Sequence, residues 1–320
     1  MRVALLFIDG VGIGRRDPAV NPLAREEFLL SRFDDGSGSP LPPGGAWVEV
    51  DTTFGVPGRP QSASNQTAIL TGLPAPRMIG KHVLGFPNGA LLEILRAHSL
   101  VKRLAEAGHP ATFANAYPAA YLDALGLRRR PSSAPEVVLP ARAKRRLRPS
   151  ATTAAMAAGG VALRTLADAA AGQALTNDID GERAHRRGFS VPLRTPEEAA
   201  GILWEVASSA EFAMFEHFLA DEAGHARDMP GALRALRTFD RFARAVIASR
   251  PEEAHVIICS DHGNVEDLST RSHTLARVAV LWFGPGAGQR VQAISDVAGV
   301  GRAILALFGI EPEPLPEPSR

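Results

Sequence analysis

Cysteine is almost missing from this chain: Cys259 is the single one in 320 residues. A lone thiol forms no internal disulfide and no multi-thiolate zinc site, so oxygen and nitrogen must hold any metal. Lysine is scarce as well, with Lys81, Lys102 and Lys144 standing among 35 basic residues. With the abundance of Ala, this reads as a GC-rich coding bias, not as function. An excess of one charge is lacking, since 35 basic residues face 34 acidic ones for a net charge of +1. Neither nucleic acid nor an anionic membrane is therefore expected as a partner. No apolar run approaches the ~20 residues that a membrane helix needs. The N-terminal run MRVALLFIDG meets Asp9 too early for a signal peptide, so a cytoplasmic location is expected. Hydrophobic residues at 45% and charged residues at 22% are ordinary for a globular protein. That composition excludes wholesale disorder, a collagen-like rod and a coiled coil.

What is present is an alternation of strands and helices. Val3–Ile8 and His255–Ser260 are short continuous apolar runs, the pattern of strands buried on both faces. Ala111–Ala114, Phe212–Leu219 and Val278–Phe283 are also expected as strands. Helices are expected over Gln61–Thr71, Leu91–Ala107, residues 151–176, Pro196–Ser208, Gly231–Ala248 and Ile294–Phe308. Thr195 is expected to cap the fourth of these, with Pro196 at its first position. Residues 31–46 read as a surface loop. The fold class is therefore α/β, a mostly parallel sheet flanked by helices. A basic stretch over 128–148, from Arg128 to Arg148, has no interleaved aromatics for stacking bases and reads as a solvated loop. The Pro-rich C-terminus reads as a tail.

Three of the expected strands end in Asp: Asp9, Asp221 and Asp261. Ligands of open α/β sheets bind at the carboxyl ends of strands. In Asp221-Glu222-Ala223-Gly224-His225, a carboxylate and an imidazole stand four apart and reach one metal if the segment coils. Asp261-His262-Gly263-Asn264 sets two ligand types side by side, with Gly263 permitting a turn. His273 follows a short loop later. Gln61–Gly72 is dense in hydroxyls at a helix start, where free N–H groups favour an anion. Read alone, that segment is better taken as an ordinary capped helix. Asn264 and Glu266 are candidates for orienting ligands.

Taken together and in order, FIDGVGIG, S-x-x-x-Q-x-x-x-L-T-G, DEAGH, SDHGN and RSHT resemble the alkaline phosphatase superfamily. They are most similar to its metal-dependent branch of cofactor-independent phosphoglycerate mutase and phosphopentomutase. The resemblance covers roughly residues 1–115 and 205–320. It implies a catalytic core over 1–116 and 201–320, interrupted by a small cap or insertion over 117–200. It also implies two divalent ions, Mn²⁺ or Zn²⁺. One would be held by Asp9, Asp261, His262 and the Ser62 oxygen, the other by Asp221, His225 and His273. Ser62 takes the nucleophile position by its distance from Gly72, with Ser64 and Thr67 as alternatives. The mutases carry Gly-His shortly after the nucleophile, whereas this chain has Asn65-Gln66. Arg59, Arg77, Lys81 and His82 flank the segment and are candidates for binding a second anionic group of the substrate.

The expectation is a two-metal phosphohydrolase acting on a small phosphorylated metabolite through a Ser62 phosphoenzyme. A phosphomutase is the alternative, and a non-catalytic metal-binding relative the third reading. The small insertion favours hydrolysis, because a large cap that excludes water favours return of the phosphoryl group to substrate.

Overall fold

The computed structural model describes residues 1–127 and 147–313. The basic stretch, except for its last two residues, and the end of the Pro-rich tail lie outside the described residues.

Among the described residues, eight strands form two sheets. They are β1 (Arg2–Ile8), β2 (Gly45–Val50), β3 (Ala111–Phe113), β4 (Ala116–Tyr117), β5 (Arg164–Thr165), β6 (Phe212–His217), β7 (Ala254–Cys259) and β8 (Val278–Phe283). The main sheet has the order β2-β8-β7-β1-β6-β3. β1 runs parallel to β6 and β7, and β3 parallel to β6, while β8 is antiparallel to both β7 and β2. The sheet is therefore mostly parallel. β4 and β5 make a separate parallel pair.

Continuous apolar strands arise because both sheet faces are covered. Val3, Leu5 and Phe7 of β1 enter one core, with Ile257, Cys259, Val280 and Trp282. Ala4, Leu6 and Ile8 enter the other, with Val256, Ile258, Leu281 and Phe283. The first core is completed by the Ser62–Thr71, Gly89–His98 and Ala298–Leu307 helices. The second is closed by the Pro196–Ala207 and Met229–Ala248 helices. Thr195 caps the former in a reciprocal box with Glu198. The Met229–Ala248 helix buries Leu236, Phe239, Phe242 and Val246 along one stripe.

Several expected elements are divided. Leu91–Ala107 is two helices, because Ser99 ends the first and caps the second. Residues 151–176 contain the Ala151–Ala158 helix, which stops at Gly159, then β5 and a short helix over Leu166–Ala170. Ile294–Phe308 becomes Ala298–Leu307 preceded by a separate Ala287–Gln292 helix. β6 ends at His217, not Leu219, and Leu219 begins the helix Leu219–Ala226. Asp221 is therefore not at a strand end but in the first turn of that helix. Within residues 117–200, Ala151, Ala155 and Met156 pack into the first core, whereas Ala169, Ala174, Ala184 and Val191 form a small cluster of their own.

One close helix contact positions the Ser62–Thr71 helix. A Cβ on Gly301 would lie 2.3 Å from the Ile69 carbonyl oxygen and 2.9 Å from the Gly72 nitrogen. Both are backbone atoms, so relief requires the two helices to separate. Gly301→Ala is expected to destabilise the fold by roughly 1–3 kcal/mol, read as a lowered urea midpoint. An unchanged midpoint would show that this packing is looser than the distances indicate.

Candidate metal centre

The carboxyl ends of β1 and β7 and the start of two helices converge. Asp9 follows β1, and its backbone N–H donates to the His217 carbonyl at the end of β6 at 2.9 Å. Asp261 and His262 lie just beyond β7, both fully buried. Gly10 turns the chain after Asp9 at φ +74°, and a Cβ there would lie 2.6 Å from Asp221 Oδ1. Only glycine meets both conditions.

The first set comprises Asp9, Asp261 and His262. His262 Nε2 lies 3.4 Å from Asp9 Oδ1 and 3.4 Å from Asp261 Oδ2. Ser62 Oγ joins it at 2.9 Å from His262 Nε2. The second comprises Asp221, His225 and His273. His225 Nε2 lies 3.2 Å from Asp221 Oδ2 and 3.1 Å from His273 Nε2, and His273 Nε2 lies 3.6 Å from Asp221 Oδ1. The sets adjoin, since the His262 and His273 rings stack with centroids 3.7 Å apart. Donor atoms of Asp221, His262 and His273 also converge, so His262 borders both sets.

Several features fit this cluster to divalent cations. The Nδ1 atoms of His225 and His273 lie 2.7 Å and 2.8 Å from the carbonyls of Arg271 and Pro60. Each ring thus spends its Nδ1 proton outward and presents Nε2 inward, as metal-ligating imidazoles do. Asp9, Asp221 and Asp261 form no ion pair with Arg or Lys among the described residues. Among the described residues, Asp9 Oδ1 and His262 Nδ1 are buried without a hydrogen-bond partner.

The electrostatics express the same deficit of positive charge. Burial, then the charges of Asp261 and Asp221, hold the Asp9 carboxyl well above the usual range. Burial and the Asp221 charge push Asp261 up to about 7. Burial pushes His262 and His273 down to about 4. For Asp221, burial opposes ionisation, but the His225 bond, the His262 charge and the Asn264 amide outweigh it, bringing the group to about 2. The Asp221 bond in turn raises His225 to about 9. A proton on His225 thus supplies the positive charge that a cation would replace.

The hydroxyl alternatives to Ser62 are committed elsewhere. Ser64 Oγ donates to the Gln61 carbonyl and accepts from the Val83 N–H, both at 3.1 Å. Thr67 Oγ1 donates to the Ala63 carbonyl at 2.7 Å. Ser62 stands at the first position of its helix, ahead of the first helical bond, from Asn65 N–H to the Gln61 carbonyl at 3.0 Å. The N–H groups of residues 62–64 consequently have no acceptor within the helix.

The four flanking candidates are treated differently. Arg59 and Lys81 are exposed. Arg77 spends its guanidinium on the Phe54 carbonyl, at 3.2 Å and 3.0 Å, steadying a residue with φ 53°. His82 is the one whose charge His262 senses, and burial lowers its own pKa.

Other contributors were weakly signalled or silent in the sequence. Gln66 Nε2 lies 3.2 Å from both Asp9 Oδ2 and Asp261 Oδ2. Asn65 Nδ2 ties the carbonyls of Thr52 and Asp261 together at 2.8 Å each. Asn65 and Gln66 thus take up positions around the first set. Glu216, buried on β6 and pushed by burial up to about 7, accepts from Thr152 Oγ1 at 3.2 Å. Glu266 accepts from the N–H groups of Gly12 and Asn264, at 3.0 Å and 2.7 Å. Asn264 Nδ2 donates to Asp221 Oδ1 at 2.6 Å. Asn264→Ala frees that oxygen to rotate and is expected to weaken metal binding by roughly 10–100-fold. Titration with Mn²⁺ against a competing chelator measures this, and unchanged affinity would remove Asn264 from any orienting role.

Residues 202–312 match the family model of the metalloenzyme superfamily. The chain is 33% identical over 131 residues to a phosphopentomutase of Deinococcus radiodurans, covering 39% of this chain and 34% of that protein. It is 38% identical over 90 residues to a phosphopentomutase of Allorhizobium ampelinum, covering 28% and 22%. The matches thus span about a third or less of the length of these curated relatives. Among solved structures, alkaline phosphatase of Thermus thermophilus aligns with a TM-score of 0.55 at 13% identity, covering 98% of this chain and 93% of that one. Alkaline phosphatase from the Antarctic bacterium TAB5 aligns at 0.52 and 15% identity, covering 96% and 98%. The fold is alkaline-phosphatase-like, as the motifs imply.

Proposed function

We propose that this alkaline-phosphatase-like member of the metalloenzyme superfamily is a two-metal phosphoryl-transfer enzyme that hydrolyses a small phosphate ester through Ser62. One ion would be held by Asp9, Asp261, His262 and Ser62, the other by Asp221, His225 and His273. Mixed oxygen and nitrogen donors suit Mn²⁺ or Zn²⁺. Bound there, the ions would neutralise phosphate charge and lower the pKa of a coordinated hydroxyl. The observation that carries the reading is the place of Ser62 Oγ, 2.9 Å from His262 Nε2 at the open start of its helix.

The chain's own groups account for the rest. N–H groups of the first helical turn face an incoming phosphate and favour its negative charge. Ser62 gives up its hydroxyl proton to solvent and its Oγ attacks phosphorus, so the Oγ–P bond forms as the ester P–O bond breaks, and the alcohol leaves with a solvent proton. Water then attacks the phosphoserine, releasing phosphate and restoring Ser62. The net reaction consumes one water per ester. We take 117–200 as a small cap beside this core and place the enzyme in the cytoplasm.

The second reading, a phosphomutase, is favoured by the phosphopentomutases among the relatives. There a hydroxyl of the same substrate, not water, would accept the phosphoryl group. Metal-free protein re-supplied with Mn²⁺ or Zn²⁺ and a panel of phosphate esters decides between them. Metal-dependent phosphate release is expected. Interconversion of isomers without release would replace hydrolysis by the mutase reading. Neither reaction with metal bound would overturn both.

A further inference from the structure

Away from the metal centre, residues 178–196 and the helices Leu219–Ala226 and Met229–Ala248 line a cavity of about 830 Å³. That volume lies in the range of small-molecule sites. None of the seven residues assigned to the metal sets lines it. Its wall shares one helix with them: Asp221 and His225 stand a turn apart, while Glu222 and Ala226 lie ~100° further round and border the cavity.

Two lining residues carry buried polar atoms without partners, His217 Nε2 and Asp178 Oδ1. Their residues are 0% and 3% exposed. His217 Nδ1 lies 2.8 Å from the Asn177 carbonyl, so that nitrogen carries the ring proton and Nε2 is a bare acceptor. Asp178 Oδ2 accepts from the N–H groups of Arg183 and Ala184, at 2.5 Å and 3.3 Å, which leaves Oδ1 over. Both atoms call for donors that the described residues do not supply.

Most of the lining guanidinium groups are already partnered: Arg186 pairs with Glu182, Arg237 with Glu26, and Arg194 donates to the Ala169 carbonyl. Arg183 and Arg241 are held in forked pairs by Glu222 and Glu197. Arg187 forms no ion pair among the described residues, and Arg234 reaches Asp228 only at 4.0 Å. Both of these are exposed and free to turn toward an anion.

We propose that this cavity is a second binding site, separate from the metal centre, for a small molecule with hydrogen-bond donors at one end and an anionic group at the other. The donors, hydroxyl or ammonium, meet His217 and Asp178. The anionic group meets Arg187 and Arg234.

Calorimetric titration with glycerol 3-phosphate, phosphoethanolamine and inorganic phosphate tests this, with the affinities compared in the Asp261→Asn variant, whose disabled metal centre does not turn the esters over, and set beside those of the metal-loaded protein. At least one of the first two is expected to bind about tenfold more tightly than inorganic phosphate, and which one binds distinguishes hydroxyl from ammonium. The Arg187→Ser, Arg234→Ser double variant alters two exposed side chains and is expected to weaken that binding about tenfold. Asp261→Asn, which disables the metal centre, is expected to leave it unchanged. Binding lost in Asp261→Asn, binding unaffected by the arginine changes, inorganic phosphate bound equally well, or no binding at all would each overturn the proposal. Because the affinities are compared in the Asp261→Asn variant, the proposal stands or falls independently of whether the metal centre hydrolyses esters.

Discussion

Ser62→Ala is expected to lower metal-dependent phosphate release by on the order of 10³-fold or more, with the fold intact. Loss of a covalent nucleophile removes a whole reaction channel, and what persists comes from binding and charge stabilisation alone. No neighbour can take over: Ser64 and Thr67 are fully buried, and their hydroxyls are spent on backbone groups. Ser62 is half-buried at the helix start, so its loss opens no core cavity. Because its oxygen is also a proposed ligand, the comparison is made at saturating Mn²⁺, with bound metal counted in both proteins. A variant that keeps wild-type turnover would remove Ser62 from the chemistry. One that loses turnover only at limiting metal would leave it a ligand and not a nucleophile.

How far the sequence alone leads differs between parts of the site. The strands before Asp9 and Asp261 are legible because burial on both faces demands unbroken apolar runs, and a carboxylate ending such a run has no packing role. The pairing of Asp221 with His225 is legible from helical spacing. The boundary before Asp221 is not: Phe212–Leu219 is one near-continuous stretch, and the turn at Phe218 that converts strand to helix carries no Gly or Pro. β2 is missed because it follows a Gly/Pro-rich loop and, among the described residues, pairs only with β8, an interaction remote in sequence. Gln66 and Asn65 are the deeper omission. In sequence they are polar residues of a helix with no apolar stripe. Their meaning comes from chain folding, which sets Gln66 against carboxylates that are 57 and 195 positions away.

Asp261→Asn is expected to change stability in opposite directions with and without metal. In the metal-free protein, Asp261 is buried beside Asp9 and Asp221 without a cationic partner from Arg or Lys, and its carboxyl is pushed up to about 7 from an ordinary 3.8. Between about pH 4 and pH 7 the folded chain therefore keeps a proton that the unfolded chain has released, and stability falls as pH rises. The contribution is fully present below pH 4 and lost above pH 7. Asparagine cannot ionise, while its carbonyl oxygen can still accept from the N–H groups of Gly10 and His262, now at 3.4 Å and 3.0 Å from Asp261 Oδ1. His262 and His273, held near 4 by burial, act in the opposite sense below neutrality, so the informative quantity is the difference between variant and wild type. At pH 8 without metal, the variant should melt several degrees higher, since in a chain of a few hundred residues roughly 1 kcal/mol moves Tm by about 2–4 °C. At pH 4.5 the difference should nearly vanish. Adding Mn²⁺ should reverse the order, because a ligand at 1,000 times its Kd stabilises the wild type by about 4 kcal/mol and the variant has lost a carboxylate from the first set. Thermal melts at the two pH values, with and without Mn²⁺, test each step. A metal-free variant no more stable than wild type at pH 8 would mean that Asp261 is not under the charge repulsion that makes this cluster a cation site.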